Sequence, residues 1–173
     1  MKNATQEEKV IGMMKRPIPK KRVGIIKLKM IRDGTAVYGT ERFHEAKEAV
    51  DMVRPLFEYS DREMMMVMSL DSAMTPIALE IIAVGGLSSC GIDPRDLFKH
   101  AILSNASKII CFHNHPSGEP KPSREDSLIT GRIKEAGVLL GIELLDHIVI
   151  GSEGRYVSFR EERIEPFGIG GVA

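Results

Sequence analysis

The chain contains no tryptophan, and only two of its 173 residues are cysteine, Cys90 and Cys111. With no C-x-x-C pair, a disulfide framework and a cysteine-ligated zinc site are both excluded, and a reducing compartment is the setting that fits. Neither charge is in excess. Lys+Arg and Asp+Glu stand at 24 each, so no global basic field points to nucleic acid. No apolar run reaches the roughly 18 residues of a membrane span, and the first residues lack the apolar stretch of a secretory signal. The expectation is a cytoplasmic protein with no membrane contact. What is present suits one globular domain: 43% hydrophobic and 28% charged residues supply a core able to stand alone.

Charge divides the chain. Residues 1–22 carry seven Lys/Arg (Lys2, Lys9, Lys15, Arg16, Lys20, Lys21, Arg22) against Glu7 and Glu8, and include Pro17 and Pro19. This is the composition of a flexible basic arm, which is either solvated or in weak contact with nucleic-acid phosphates. Val23 to Met30 alternates apolar and basic residues, and Asp33-Gly34 precedes Thr35 to Tyr38, which predicts an N-terminal β-hairpin. Phe43, Ala46, Ala49, Val50 and Val53 mark a helix, with Thr40 as N-cap and Pro55 ending or kinking it. Met64 to Leu70 and Ile77 to Val84 are apolar runs of strand length, and Met64, Met65, Met66, Met68 and Met74 read as core filler. Asp93 caps a helix with Pro94 at its first position. Further strands are expected over the run ending at Phe112, over Ile142 to Ile150 and over Tyr156 to Phe159, with a helix from Ser123. Expected strands and helices thus alternate over residues 23–160, a span suited to one domain. From 161 to 173, mixed charge and then Gly168, Gly170 and Gly171 predict a loose tail.

Chemistry concentrates between Cys111 and Asp126. His113 and His115 sit one residue apart at the end of the apolar run Ser107 to Phe112. On a strand, such residues share a face, about 6.6 Å apart at Cα, close enough for two imidazoles to share one ion. A proline-rich loop follows, and then Ser123, an N-cap for a segment with Leu128, Ile129, Ile133, Ala136, Leu139 and Leu140 at helical spacing. Asp126 falls in the first helical turn, its carboxylate pointing back toward the strand end. Two imidazoles and a carboxylate make a three-ligand set, and a fourth position left to water distinguishes catalytic zinc from structural zinc. A plainer reading stands beside this one. Ser-x-x-Asp is a close relative of the capping box, and paired histidines are often just polar groups at a sheet rim. The conjunction favours the metal, because the remaining histidines, His44, His100 and His147, are scattered. His147 lies in an apolar strand and reads as a hydrogen-bonded core histidine, the alternative being a role beside the metal. Cys111 reads as a small core residue. A carboxylate able to move a proton is also needed, and two stand open: Glu63, just before Met64, and Glu80, a charge inside an apolar run.

The run His113-Asn-His-Pro-Ser-Gly-x-Pro-x-Pro-Ser-x-x-Asp126 resembles the signature of the RadC-like branch of the JAB/MPN domains, whose metal-binding members carry the JAMM pattern Glu…His-x-His…Ser-x-x-Asp. The flanks Asp93 to Leu103 and Ala136 to Gly151 agree, and the resemblance covers roughly residues 40–160. It implies a single domain of the cytidine-deaminase-like sort, with a mixed sheet flanked by helices. It implies zinc held by His113, His115 and Asp126, with Ser123 assisting the oxyanion. It also selects Glu63 as acid/base, because Asp61-Arg-Glu-Met-Met-Met-Val-Met68 is similar to the strand that carries the family glutamate at its start. Glu80 is the reserve. The implied activity is that of a zinc metallopeptidase hydrolysing a peptide or isopeptide bond in a protein or peptide substrate.

Rival readings are weighed on the same residues. A zinc base deaminase needs His-x-Glu and a later Pro-Cys-x-x-Cys, and neither occurs. An H-N-H nuclease spreads its residues over a ββα unit, whereas His113-Asn114-His115 is contiguous. A DNA-repair module fits the family name. Full-length RadC proteins, however, resemble a helix-hairpin-helix unit joined to this domain, and the first 40 residues offer no such helix pair, so a short form is expected. A non-catalytic scaffold is opposed by the intact ligand set.

Overall fold

Apolar runs without polar alternation become strands covered on both faces. β1 (Met64–Leu70), β2 (Pro76–Val84), β3 (Lys108–Asn114), β4 (Glu143–Ile150) and β5 (Tyr156–Ser158) form one sheet in the order β2-β1-β3-β4-β5. β3 and β4 run parallel, and the other neighbours are antiparallel. A parallel pair needs a crossover, which α3 (Arg124–Leu140) supplies. With α1 (Ala46–Val53) and α2 (Pro94–Leu103), it is one of three helices flanking the sheet. The computed structural model describes residues 7, 11, 12, 42–58, 60–85 and 92–168. The chain divides into two units, Met1–Ile31 and Arg32–Ala173, and all that follows concerns the second. The expected hairpin, Thr40, Cys90 and nearly all of the basic arm lie outside the described residues.

Alternate side chains of β1 and β3 serve two cores. On one face Met66, Met68, Ile110 and Phe112 meet Ala49, Val50 and Val53 of α1. On the other, Met65, Val67, Ile109 and Cys111 meet Leu97 and Phe98 of α2 and Ile133 of α3. The methionines of β1 are core residues, as expected. Burial also pushes the Cys111 thiol up, away from reactivity. β2, at the edge, leaves Ile81 and Val84 exposed.

Helix starts follow their caps. Asp93 accepts from the Arg95 N–H at 2.9 Å, with Pro94 at the first position. α1 begins only at Ala46, after Glu45, and runs into a 3-10 turn over Arg54–Leu56 that contains Pro55. Residues 161–168, part of the expected loose tail, make several contacts. The Ile164 N–H bonds the Phe159 carbonyl at 2.8 Å, and Lys134 Nζ bonds the Pro166 carbonyl at 2.7 Å while lying 4.7 Å over the Phe167 ring. One cation over one ring is worth about 0.5–1 kcal/mol when exposed, and counts of local charge do not register it. Among the described residues, no helix is long and apolar enough to cross a membrane.

Candidate metal centre

The site forms where β3 ends. His113 pairs in register with Met65 of β1 and Val149 of β4, and is fully buried. His115 stands one step past the strand, yet its N–H still bonds the Ile150 carbonyl at 3.0 Å, so the extended course persists. Both rings therefore project to one side, with their Nε2 atoms 3.1 Å apart. Asp126 enters from the third position of α3. Its Oδ1 lies 3.2 Å from His113 Nε2 and its Oδ2 lies 3.7 Å from His115 Nε2.

The capping reading is realised, and the same carboxylate also faces the two imidazoles. Ser123 N and Oγ donate to Asp126 Oδ2 at 2.7 and 2.6 Å, and the Asp126 N–H donates back to Ser123 Oγ at 3.1 Å. The complete capping box holds the carboxylate in place, while Oδ1 stays turned toward His113. The only hydroxyl proton of Ser123 is thereby directed at Asp126, so assisting an oxyanion would require that hydroxyl to turn.

The loop behind His115 sets its ring. Its Nδ1 lies 2.8 Å from the Glu119 carbonyl, which can only accept, so the proton sits on Nδ1 and a neutral ring presents a lone pair at Nε2. That loop is seated by a close approach at the end of β4. A Cβ built on Gly151 would lie 2.5 Å from the Gly118 carbonyl oxygen and 2.8 Å from Pro120 Cδ. Gly151→Ala is accordingly expected to destabilise the fold by about 1–3 kcal/mol, as overpacking does, and to displace the Glu119 carbonyl. Chemical denaturation of the variant, together with its zinc affinity, checks this.

His113, His115 and Asp126 form a group that could hold a metal ion, and the donor set fits zinc. Two imidazoles and a carboxylate at bond lengths near 2.0–2.1 Å, arranged tetrahedrally, place their donor atoms about 3.3 Å apart; His113 Nε2 lies close to that distance from both His115 Nε2, at 3.1 Å, and Asp126 Oδ1, at 3.2 Å, and one donor atom from each of the three residues falls within 4.8 Å of the others. Electrostatics point the same way. Burial by itself would raise the Asp126 carboxyl, but the His113 and His115 rings beside it and the Ser123 hydroxyl hold it well below the usual carboxylate range. The Asp126 carboxylate beside it raises the pKa of His115 against the effect of burial, helped by the Glu119 carbonyl and the charge of Glu63. The pocket favours positive charge.

Glu63 borders this group. The β1–β3 register pairs Met65 with His113, Glu63 precedes that pair by two residues, and its charge acts on His115. Asn114, pointing to the other face, fixes this strand entry: its Oδ1 accepts from the Met64 N–H at 2.8 Å and its Nδ2 donates to the Arg62 carbonyl at 3.1 Å. Glu80 lies elsewhere. It pairs with Val67 on the exposed edge strand, and its charge acts on His100.

Two further groups adjoin the ligands. His147 is fully buried, with Nε2 2.8 Å from His113 Nδ1 and Nδ1 2.5 Å from Thr130 Oγ1. Burial, and then the neighbouring His113, depress its pKa well below the usual imidazole range. His147 is thus a hydrogen-bonded core histidine and also a neighbour of the metal group. Sequence reasoning assigned no role to Asn114, Thr130 or the Glu119 carbonyl. Thr130 alone left a signal, lying one helical turn after Asp126 and so on the same face.

A mixed sheet flanked by helices, with His-x-His at the end of a central strand and an aspartate in the first turn of the crossover helix, defines a JAB-type α/β domain. Residues 43–164 match the RadC-like JAB domain, and the chain belongs to that family. Relatives include a UPF0758 protein of Thermotoga maritima, 48% identical over 104 residues (60% of this chain, 46% of the relative). Others are a UPF0758 protein of Methanosarcina barkeri, 40% identical over 116 residues (67% and 50%), and one of Listeria monocytogenes, 42% identical over 116 residues (67% and 51%). The chain spans about half the length of the curated relatives it matches.

Proposed function

We propose that the domain is a zinc-dependent hydrolase of the JAMM type, acting on a peptide or isopeptide bond. The observation that carries this reading is the convergence of His113 Nε2, His115 Nε2 and the Asp126 carboxylate at the edge of the sheet, with Glu63 bordering them. His113, His115 and Asp126 would hold a zinc ion, which would supply the Lewis acidity to polarise a carbonyl and to bring the pKa of water toward about 7. Glu63 takes the proton of the attacking water and passes it to the leaving amine nitrogen. The capping box keeps Asp126 ionised and in place. The Ser123 hydroxyl, turned from Asp126, donates to the developing oxyanion, an interaction whose loss costs about 10²–10³ in rate at comparable sites.

Offering purified protein, with and without zinc, a mixed library of peptides and lysine-linked branched peptides tests this reading. The expected result is cleavage read by mass spectrometry, abolished by a chelator and restored by zinc. Zinc-loaded protein that cleaves neither linkage across the library would overturn the peptidase reading.

A further inference from the structure

The buried contacts behind His113 form a directed chain of hydrogen bonds that ends at a backbone carbonyl. Thr130 Oγ1 lies 2.5 Å from the Asp126 carbonyl oxygen, which can only accept, so the single hydroxyl proton of Thr130 is spent there. Toward His147 Nδ1, also at 2.5 Å, the Thr130 oxygen can then only accept, and His147 must carry its proton on Nδ1. The neutral His147 ring consequently turns a bare Nε2 toward His113 Nδ1, 2.8 Å away. That pairing requires a proton on His113 Nδ1, and a neutral His113 presents a lone pair at Nε2, beside Asp126 Oδ1 and His115 Nε2. Each proton has one place to go, because His113, Thr130 and His147 are all fully buried and no water competes.

We infer that Thr130 and His147 are positioning residues that lock His113 in its metal-binding tautomer, with the direction of the lock set by the Asp126 main-chain carbonyl. The inference rests on the metal reading above and adds residues outside the ligand set. The arrangement also couples the ligands: the residue that offers a carboxylate to the ion fixes, through its own backbone, the proton that readies His113. The His147 ring also stacks on Phe159, with centroids 5.1 Å apart, which restricts its rotation.

Thr130→Val keeps the shape and removes the hydroxyl. The His147 Nδ1–H then has no acceptor, so the ring takes the Nε2–H form, donates to His113 Nδ1 and leaves the His113 proton on Nε2, where the ion should bind. Zinc affinity, measured by competition with a chromophoric chelator, is expected to fall about 10–100-fold, the usual cost of losing an outer partner of a metal-bound histidine. Thr130→Ser, which keeps the hydroxyl, should bind zinc like the wild type. Nitrogen-15 NMR of the metal-free full chain reads the tautomer independently: His147 should be protonated on Nδ1 in the wild type and in Thr130→Ser, and on Nε2 in Thr130→Val. A wild-type His147 found in the Nε2–H form overturns the relay whatever zinc does, and so does undiminished zinc affinity in Thr130→Val. A wild type with His147 protonated on Nδ1 that takes up no zinc overturns the metal reading instead, and the same sample distinguishes the two failures.

Discussion

Glu63→Gln is expected to keep its fold and its zinc yet lose roughly 10²–10⁴ in turnover, the worth of a positioned proton-transfer group. The side chain lies at the entry of β1, outside the His113, His115 and Asp126 set, so removing its charge costs no ligand. Its backbone stays anchored as well: the Glu63 carbonyl accepts from the Gly85 N–H at 2.8 Å, and Asn114 grips both neighbouring residues. Glutamine preserves size and hydrogen bonding but cannot take a proton from water at neutral pH. Glu80→Gln provides the control, because Glu80 stands on the exposed edge strand beside His100; its turnover should change less than about tenfold. Steady-state rates on any substrate the wild type cleaves, together with metal content, decide the matter. The reverse ranking would move the role to Glu80. If both variants match the wild type, the JAMM mechanism is the wrong one for this chain.

How legible the site was depends on the range of the interactions that make it. Strand β1 coincides with its apolar run at Met64–Leu70, and Ser123 caps α3 as its residue type and spacing predict, because these are local consequences of side-chain pattern. The His113/His115 pair follows from the two-residue period of extended chain. Residue pattern alone left Glu63 and Glu80 open, since each is one charge next to an apolar run, and the family resemblance chose Glu63; the antiparallel pairing of β1 with β3, segments some fifty residues apart, brings Met65, two residues after Glu63, beside His113. His147 illustrates the same limit. Its place in an apolar strand suggested burial, but only the parallel pairing of β4 with β3, which sets it opposite Cys111, brings its ring to His113. The segment after residue 160 shows the same dependence on range. Its charges are ordinary for a solvated end, and what holds residues 161–168 is the reach of Lys134, distant in sequence, to Pro166 and Phe167.

The second large effect concerns the metal itself. Protein purified without chelator is expected to carry one zinc per chain, and His113→Ala, His115→Ala and Asp126→Asn are each expected to abolish it. With two donors left from three, the set falls below what either structural or catalytic zinc sites use. The three variants should nevertheless differ once metal-free. His113 is fully buried and its Nδ1 is the partner of His147 Nε2, so alanine leaves a cavity and an unpaired buried nitrogen, at a cost of about 1–3 kcal/mol for that nitrogen alone. His115 is only partly buried, with its main contact to a loop carbonyl, and its loss should stay within about 1 kcal/mol. Asparagine at 126 retains an acceptor for the Ser123 N–H and Oγ but brings no charge to the ion, so the α3 cap survives while affinity does not. Zinc stabilises only a chain that binds it, by about 2.7 kcal/mol at a free concentration one hundred times Kd. Urea midpoints with and without zinc should therefore separate for the wild type and coincide for all three variants. Equal metal content and an equal zinc-induced shift in wild type and variants would show that the ion, if any, sits somewhere other than between β3 and α3.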